Sequence, residues 1–255
     1  MYFYLYDTFV SDPKLESQLT KIEHRLIELG INGKIGKLTV LKNIDHMIAE
    51  AIKNEAETII IVGNDKTFSR AIKTAAREDV TIGYIPLDPK SKYAKILGIN
   101  SEEEAVDVLS RRVVKKIDIG KINNSIYFLT SIEIDSQDVK IECDKKFTAT
   151  PEGNINHISI CNFGNIIEAK EINNEIICNP NDGFLDIVFY NKNKTKILKK
   201  PGKKDTVIPV KKSFVESNGE EVSLMVDGDV VAKTPATIEM GAQKIKLIVG
   251  KNRMF

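Results

Sequence analysis

The stretch E-T-I-I-I-V-G-N-D-K-T-F-S-R-A-I-K, from Glu57 to Lys73, decides how the first half of the chain folds. Its apolar run, Ile59–Val62, is unbroken and consists of β-branched residues only. Runs of this kind are typical of short strands that are buried on both faces, as in parallel sheets. The stretch therefore predicts a buried strand that is followed by a turn and a helix.

Three turn-forming residues, Gly63, Asn64 and Asp65, follow the predicted strand. After them, Thr67 is predicted to cap a helix whose apolar positions repeat at helical spacing. A strand, a tight turn and a helix N-terminus together present backbone N–H groups and a helix dipole to an anion such as phosphate. Asp65 is expected at the carboxyl end of the strand, where open α/β sheets bind their ligands.

Strands and helices alternate through the first 112 residues. The predicted elements are strands at 2–6, 34–40, 58–62 and 80–85, helices that start near 12, 43, 67 and 101, and a turn with a short helix at 87–97. This alternation predicts an α/β domain with a doubly wound, Rossmann-like parallel sheet, to which we assign residues 1–120.

The second half has a different pattern, with alternating apolar runs separated by Asn, Gly, Asp and Pro and with no helical period. The predicted strands are 115–122, 125–134, 139–143, 155–161, 166–172, 185–189, 206–210, 221–226 and 244–249. We therefore predict an all-β, β-sandwich-like domain for residues 121–255.

Composition excludes several classes of protein. A net charge of +1 with 29% charged residues gives no signature of nucleic-acid binding. The cysteines Cys143, Cys161 and Cys178 are odd in number and lack C-x-x-C spacing, which argues against a disulfide framework and a zinc site. No apolar run approaches the ~18–20 residues that span a bilayer, and the first residues lack the basic segment of a signal peptide. We predict a cytoplasmic protein.

Two other groups of residues have an ordinary interpretation beside a functional one. The segment Lys192–Lys204 contains seven lysines, which suits contact with anionic lipid headgroups at a membrane surface. Its lack of aromatic anchors favours a solvated hairpin instead. The histidines His24, His46 and His157 do not cluster in the sequence and have no Ser or Cys partner at a spacing typical of nucleophilic catalysis.

Six segments follow one another in an order that matches a known family. They are V-G-N-D-K-T (62–67), I-G-Y-I-P-L (82–87), A-K-I-L-G-I (94–99), I-D-I-G (117–120), N-P-N-D-G-F-L-D (179–186) and V-D-G-D (226–229). In these segments the chain resembles the diacylglycerol kinase catalytic domain family, in particular the soluble bacterial lipid kinases, which are distant relatives of NAD kinases. The first segment stands at the family's G-G-D-G-T loop, and the last stands at its V-D-G-E turn.

The resemblance implies transfer of the γ-phosphoryl group from ATP to the hydroxyl of a lipid such as diacylglycerol, with Mg²⁺. Such transfer depends mainly on positioning and on electrostatic stabilisation. By the resemblance, Asp65 and Asp229 are the catalytic carboxylates, one from each domain. Asp182 corresponds to the family's divalent-metal loop, whose metal is structural and not catalytic.

The resemblance also implies a set of nucleotide-binding residues. Gly63 and Asn64 would approach the phosphates, and Thr67 would cap the helix beneath them. Lys66 could place its ammonium group on the phosphates as a point charge. Ser91 stands at a position where the family has Asn in its P-x-G-T-x-N-D loop.

The nucleotide loops depart from the family pattern in three places. Asn64 and Lys66 replace glycines, although glycine adopts positive φ freely and lysine does so poorly. The loop at 86–92 lacks the family's Gly and Thr, and residues 7–11 replace an N-P-x-x-G turn. The segment between the motifs at 120 and 179 is also shorter than in active members. Together these changes indicate lost or altered catalysis.

Two alternatives to a lipid kinase therefore stay open. One is a catalytically impaired homologue that binds nucleotide or lipid as a regulatory module. The other is an NAD kinase relative, which is disfavoured because no N-E-x-x motif follows Pro86. Locally, Asp65 could be an ordinary turn residue, and Asp227–Gly228 could be an ordinary two-residue hairpin. A homodimer is expected only by analogy with family members that pair through their β domains.

Overall fold

The structure, a computed structural model, describes residues 1–39, 42–165, 177–190 and 206–255. The chain forms two compact units. Unit 1 contains residues 1–117 and 243–255, and unit 2 contains residues 118–242. None of the helices in the described ranges is long and apolar enough to cross a lipid bilayer.

Strands and helices alternate in unit 1, as the sequence predicts. The elements are β1 (Tyr2–Tyr6), α1 (Glu16–Glu28), β2 (Lys34–Lys37), α2 (Ile44–Lys53), β3 (Thr58–Gly63), α3 (Asp65–Ala75), β4 (Thr81–Pro86), α4 (Lys92–Leu97) and α5 (Glu102–Arg111). Two short 3₁₀ turns, Thr8–Ser11 and Pro13–Leu15, lead from β1 into α1. The predicted first helix therefore starts later, with Asp12 capping the second of these turns.

The strands that follow α5 in the chain begin with β5, which spans the boundary between the units at residues 117 and 118. They are β5 (Val114–Ile122), β6 (Ile126–Phe128), β7 (Ser131–Ile134), β8 (Val139–Cys143), β9 (Phe147–Ala149), β10 (His157–Cys161), β11 (Gly164–Asn165), β12 (Ile177–Cys178), β13 (Leu185–Tyr190), β14 (Thr206–Val210), β15 (Lys212–Ser217), β16 (Ser223–Val226), β17 (Asp229–Lys233) and β18 (Ala236–Ile248). The predicted strand at 166–172 and the lysines of 192–204 lie outside the described residues.

The sheet of unit 1 has the strand order β2-β1-β3-β4-β18, with β1 to β4 parallel. All side chains of β3 and β4 are buried, as expected for strands covered on both faces. The chain moves outward from β1 to β2 and then crosses back to β3. Because such crossovers are right-handed, the helices cover both faces of the sheet. The reversal places a crevice at the carboxyl ends of β1 and β3.

Unit 2 is antiparallel, with one sheet in the order β14-β13-β10-β7-β16-β17. A second group of strands pairs β15 with both β18 and β8, and β8 with β9. One apolar core takes side chains from both groups, for example Ile158 and Ile187 from the sheet and Ile141 and Val215 from the second group. The predicted fold class, a parallel α/β part followed by a sandwich-like antiparallel part, is confirmed.

The end of the chain differs from the expectation that residues 244–249 join the β-rich half. The first residues of β18 pair with β15 in unit 2, but Lys246 and Leu247 pair in parallel with Thr81 and Ile82 of β4. Alternation of apolar residues identifies a strand but does not say which neighbour it pairs with. This strand therefore contributes to both units.

Candidate functional site

Asp65 lies in the first turn of α3, directly after β3, as predicted. Its Oδ1 accepts hydrogen bonds from the hydroxyl of Ser91 and, at 3.1 Å, from that of Tyr84. Its Oδ2 accepts the backbone N–H of Lys92 at 2.8 Å. A carboxylate has about four acceptor positions, so three of them are taken by donors from β4 and from the start of α4.

The start of α3 corrects one detail of the prediction. The N-cap is Asn64 and not Thr67, because the side-chain oxygen of Asn64 accepts the N–H of Thr67 at 3.0 Å. Asparagine is as good an N-cap as the sequence could offer, and it reaches the third N–H of the helix. Thr67 is a buried residue within the first helical turn.

The backbone of this turn does not form a phosphate nest. Nests need successive N–H groups in alternating right- and left-handed conformations. Asn64 is extended, with φ −105° and ψ 175°, and no residue from 63 to 67 has positive φ. Lys66 is exposed in the first turn of the helix. Residues 63–67 in this conformation therefore do not fit a phosphate group held by the turn.

Gly63 has a different reason to be glycine. A Cβ at this position would lie 3.0 Å from the Cβ of Asp7 and 3.1 Å from its Oδ2. Asp7 follows β1, and it is 6% exposed. Its Oδ2 accepts the hydroxyl of Thr67, and its Oδ1 accepts the N–H of Thr8 at 2.6 Å. The glycine thus makes room for a carboxylate of the chain itself.

Ser91 and Tyr84 have structural partners besides Asp65. Ser91 caps α4, since its Oγ accepts the N–H of Ala94 at 3.0 Å. The ring of Tyr84 is fully buried and stacks on Phe68 with 4.4 Å between the ring centroids. Burial, with the charge of Asp65 beside it, raises the pKa of Tyr84 far above its ordinary value. The hydroxyl therefore stays protonated and acts as a donor.

Asp229 lies in unit 2, at the exposed start of β17. It pairs with Val226 across a two-residue loop, Asp227–Gly228, in which both residues have positive φ, 54° and 82°. Two consecutive residues of this kind define a type I′ hairpin turn. The local interpretation of V-D-G-D as a hairpin is therefore confirmed, and the catalytic role of Asp229 stays a prediction.

The turn that contains Asp182 is held in place by Asp118, which belongs to another of the six motif segments, I-D-I-G (117–120). Asp118 is buried, its Oδ2 accepts the N–H of Gly183 at 3.0 Å, and its own N–H donates to the carbonyl of Pro180 at 2.8 Å. Asp182 itself accepts the N–H of Phe184 at 2.9 Å. Within the described ranges, no group of three or more His, Cys, Asp or Glu side chains could hold a metal ion. The metal role of Asp182 stays a prediction.

Sequence reasoning missed a polar cluster in unit 2. His157, 2% exposed, bonds through Nδ1 to Asp135 and through Nε2 to Glu133 at 2.7 Å. Glu133 also accepts the hydroxyls of Ser131 and Ser159. Although burial raises the pKa of Glu133, its hydrogen bonds lower that pKa more. The signal in the sequence was the spacing of two acids, Glu133 on β7 and Asp135 directly after it, which puts both carboxylates on one side of the extended chain.

A groove in unit 1 lies elsewhere, between α1 and α5, with a volume of about 540 Å³. In this groove Arg25 bonds Asp107 at 2.9 Å and Glu28 at 3.2 Å. Its lining contains both acidic and basic side chains, so its charge does not indicate one class of ligand.

The fold of the chain is shared with solved structures of kinases. The chain is similar to the crystal structure of a diacylglycerol kinase from Bacillus anthracis str. Sterne, with a TM-score of 0.78 and 18% identity over 98% of this chain and 97% of that chain. It is also similar to an NAD kinase from Archaeoglobus fulgidus in complex with ATP, with a TM-score of 0.62 and 15% identity over 99% and 95% of the two chains. At such identities, these similarities concern the fold.

Part of the sequence matches a family model. Residues 4–122 match the family model for the diacylglycerol kinase catalytic domain. The resemblance inferred from the motifs is thus confirmed, and the match covers the segment with Asp65 and Ser91. A search of curated proteins found no match to the sequence. The nucleotide-binding roles of Gly63, Asn64, Lys66, Thr67 and Ser91 stay predictions.

Proposed function

We propose that this chain is a diacylglycerol-kinase-like protein that has lost efficient phosphoryl transfer and acts as a regulatory binding module. The observation that carries the proposal is that three donors of the chain itself bind the carboxylate of Asp65. In a kinase of this type, that carboxylate must orient a hydroxyl or a metal-bound phosphate. Here Ser91, Tyr84 and the N–H of Lys92 occupy its oxygens.

The turn around Asp65 supports the same conclusion. Electrostatic stabilisation of a transferring phosphoryl group needs donors that are aimed at it in advance. The N–H of Thr67 donates to Asn64, and its hydroxyl donates to Asp7. Both donors of Thr67 therefore bind groups of the chain itself.

An ATP-dependent lipid kinase is the second candidate. It is favoured by the position of Asp65 at the carboxyl end of β3, in the first turn of α3, within the segment that matches the kinase family. If a ligand displaced Ser91 or Lys92 from its oxygens, Asp65 could orient the acceptor hydroxyl. Mg²⁺ would then neutralise charge on the phosphates. An NAD kinase activity is third, because the family match concerns diacylglycerol kinases.

The test measures transfer and binding separately. Labelled ATP with Mg²⁺ is incubated with diacylglycerol in mixed micelles, and with a total lipid extract, in the presence of the wild type or Asp65→Asn. We expect no difference between the two proteins. A lipid product made by the wild type and absent with Asp65→Asn would contradict the proposal and favour the kinase.

Binding is followed by thermal shift with ATP, Mg·ATP and diacylglycerol micelles. A ligand at 100 times its Kd stabilises the folded state by about 2.7 kcal/mol, which such a scan resolves. We expect stabilisation by at least one of these ligands without turnover. A protein that none of them stabilises would not be a binding module of this type.

Two predicted partners, an anionic lipid surface and a second copy of the chain, belong to the same proposal. The lysines of 192–204 would contact anionic lipid, and two chains would pair through their β-rich units. Co-sedimentation with vesicles of phosphatidylserine and phosphatidylcholine tests the first, with the seven lysines changed to Gln as the comparison. Sedimentation equilibrium tests the second.

A further inference from the structure

The carboxylate of Asp7 occupies the part of unit 1 where a parallel sheet of this order binds its ligand. The strand order reverses at β1, and ligands of such sheets bind beyond the carboxyl ends of the two strands that flank the reversal. These strands are β1 and β3. Asp7 extends their pairing by one residue, because its N–H donates to the carbonyl of Val62 at 3.0 Å.

The side chain of Asp7 is turned into this crevice and not toward solvent. It is 6% exposed and lies against Gly63, where even a methyl group would come within 3.0 Å of it. Glycine at the end of β3 would leave open space for a ligand to approach the backbone. Asp7 fills that space.

The contacts of Asp7 are those that a bound anion would make. The hydroxyl of Thr67, in the first turn of α3, donates to one oxygen. The N–H and the hydroxyl of Thr8, at the start of a 3₁₀ turn, donate to the other at 2.6 and 3.1 Å. Helix starts are favourable positions for negative charge, so the carboxylate is stabilised there without a bound ligand.

We infer that Asp7 is the specificity-determining residue of this crevice and that it excludes phosphate from it. A phosphate at the β1–β3 edge would meet the negative charge of Asp7 in a space that the side chain of Asp7 already fills. Like charges that are close together near a protein surface repel strongly.

This inference rests on the proposed function and excludes a nucleotide phosphate as the group that binds in this crevice. The probe is inorganic tripolyphosphate, with and without Mg²⁺, titrated by calorimetry into the full chain. The variants are Asp7→Asn and Asp7→Ser, of which serine keeps a side chain that caps helix starts. The matched control is Asp12→Asn, which removes the same charge from an exposed capping residue nearby.

We expect weak binding to the wild type and to Asp12→Asn, and a Kd at least about tenfold lower in both Asp7 variants. Tight binding by the wild type overturns the inference whether or not the variants fold. It is also overturned by an equal gain in Asp12→Asn, or by no gain in an Asp7 variant whose circular dichroism is native.

The two proposals fail in different ways. Phosphoryl transfer by the wild type contradicts the proposed loss of catalysis. Unchanged tripolyphosphate binding in the Asp7 variants contradicts only the role of Asp7.

Discussion

The carboxylate of Asp65 and the backbone N–H of Lys92 are 2.8 Å apart, and this hydrogen bond joins the turns that follow β3 and β4. The two residues are 27 positions apart in the chain. Asp65 therefore serves the architecture of unit 1, whatever it does for a ligand.

Removing this carboxylate should destabilise the protein. In Asp65→Ala, the buried hydroxyls of Tyr84 and Ser91 lose their shorter hydrogen bonds and as donors keep only contacts of 3.4 Å, to the carbonyl of Gly63 and to the hydroxyl of Tyr84. Each lost hydrogen bond costs about 0.5–1.5 kcal/mol, so we expect a loss of about 1–3 kcal/mol. Urea unfolding followed by circular dichroism measures the loss. The control is Asp88→Ala, since Asp88 is exposed and accepts only a local N–H, that of Lys90.

We expect the control to change the free energy of unfolding by less than about 0.5 kcal/mol. If Asp65→Ala and the wild type have the same free energy of unfolding, the hydrogen bonds of this carboxylate do not stabilise the fold. That result would return Asp65 to a purely functional role and would favour the kinase.

Alkaline pH should unfold unit 1 through its buried tyrosines. Burial raises the pKa of Tyr84, with a further increase from Asp65, and burial likewise raises the pKa values of Tyr4 and Tyr6. A group whose folded pKa is raised stabilises fully below its unfolded pKa, about 10, and loses that contribution above it. Urea midpoints between pH 8 and 11.5 should therefore fall once the pH passes about 10.

The variant Tyr84→Phe isolates one of these groups. At pH 7 its free energy of unfolding should be about 1 kcal/mol below that of the wild type, because one hydrogen bond is lost. Above pH 10 its free energy of unfolding should fall less steeply than that of the wild type, and the two slopes should differ by up to about 1.4 kcal/mol per pH unit. A decline identical to that of the wild type would show that Tyr84 ionises as easily in the folded chain as in the unfolded one.

Acid should act on unit 2 through Glu133. Because hydrogen bonds from His157, Ser131 and Ser159 outweigh burial and lower its pKa, its contribution is present above the unfolded value, about 4.3, and is lost as pH falls through the lower folded value. Glu133→Gln should flatten the dependence of the urea midpoint on pH below about 4.5.

The control for Glu133 is Glu142→Gln on β8, an exposed glutamate in the same unit. It should keep the acid dependence of the wild type. If both variants keep it, the acid transition has another origin.

The hairpin at Asp227–Gly228 gives a test that does not depend on function. Gly228 has φ 82° and no atom near the position of a Cβ, so Gly228→Ala pays only for its conformation, about 1–2 kcal/mol. Gly228→Asn should cost less, because asparagine tolerates positive φ. Gly219→Ala is the control, since Gly219 has ordinary φ and room for a methyl group.

Thermal unfolding ranks these variants. If Gly228→Ala is as stable as Gly219→Ala, residues 226–229 do not need the type I′ turn. An open loop would then leave Asp229 more freedom to act as the resemblance implies.

Much of unit 1 could be predicted because its signals are local. The β-branched run at 59–62 needs two buried faces, and the turn residues after it must end the strand. The resemblance extended these signals to the whole chain, because the spacing of short motifs reflects the spacing of secondary structure. Asn64 and Thr67 are both good N-cap residues and stand three positions apart, so the sequence could not show that Asn64 is the one that caps α3.

The partners across the chain could not be predicted. Asp7 and Thr67 are 60 positions apart, and only the pairing of β1 with β3 brings them together. Glu133 on β7 and Asp135 directly after it meet His157 for the same reason, because the register of β7 and β10 decides which residues face each other. The position of the candidate site in the chain could therefore be predicted from the sequence, whereas the hydrogen-bond partners of its carboxylates could not.

The double membership of β18 has a consequence for biosynthesis. Lys246 and Leu247 complete the sheet of unit 1 beside β4, although the whole of unit 2, residues 118–242, is translated in between. While the ribosome makes those residues, β4 has an unpaired edge, which is exposed to aggregation. The sheet of unit 1 therefore cannot be completed until Lys246 and Leu247 have been made.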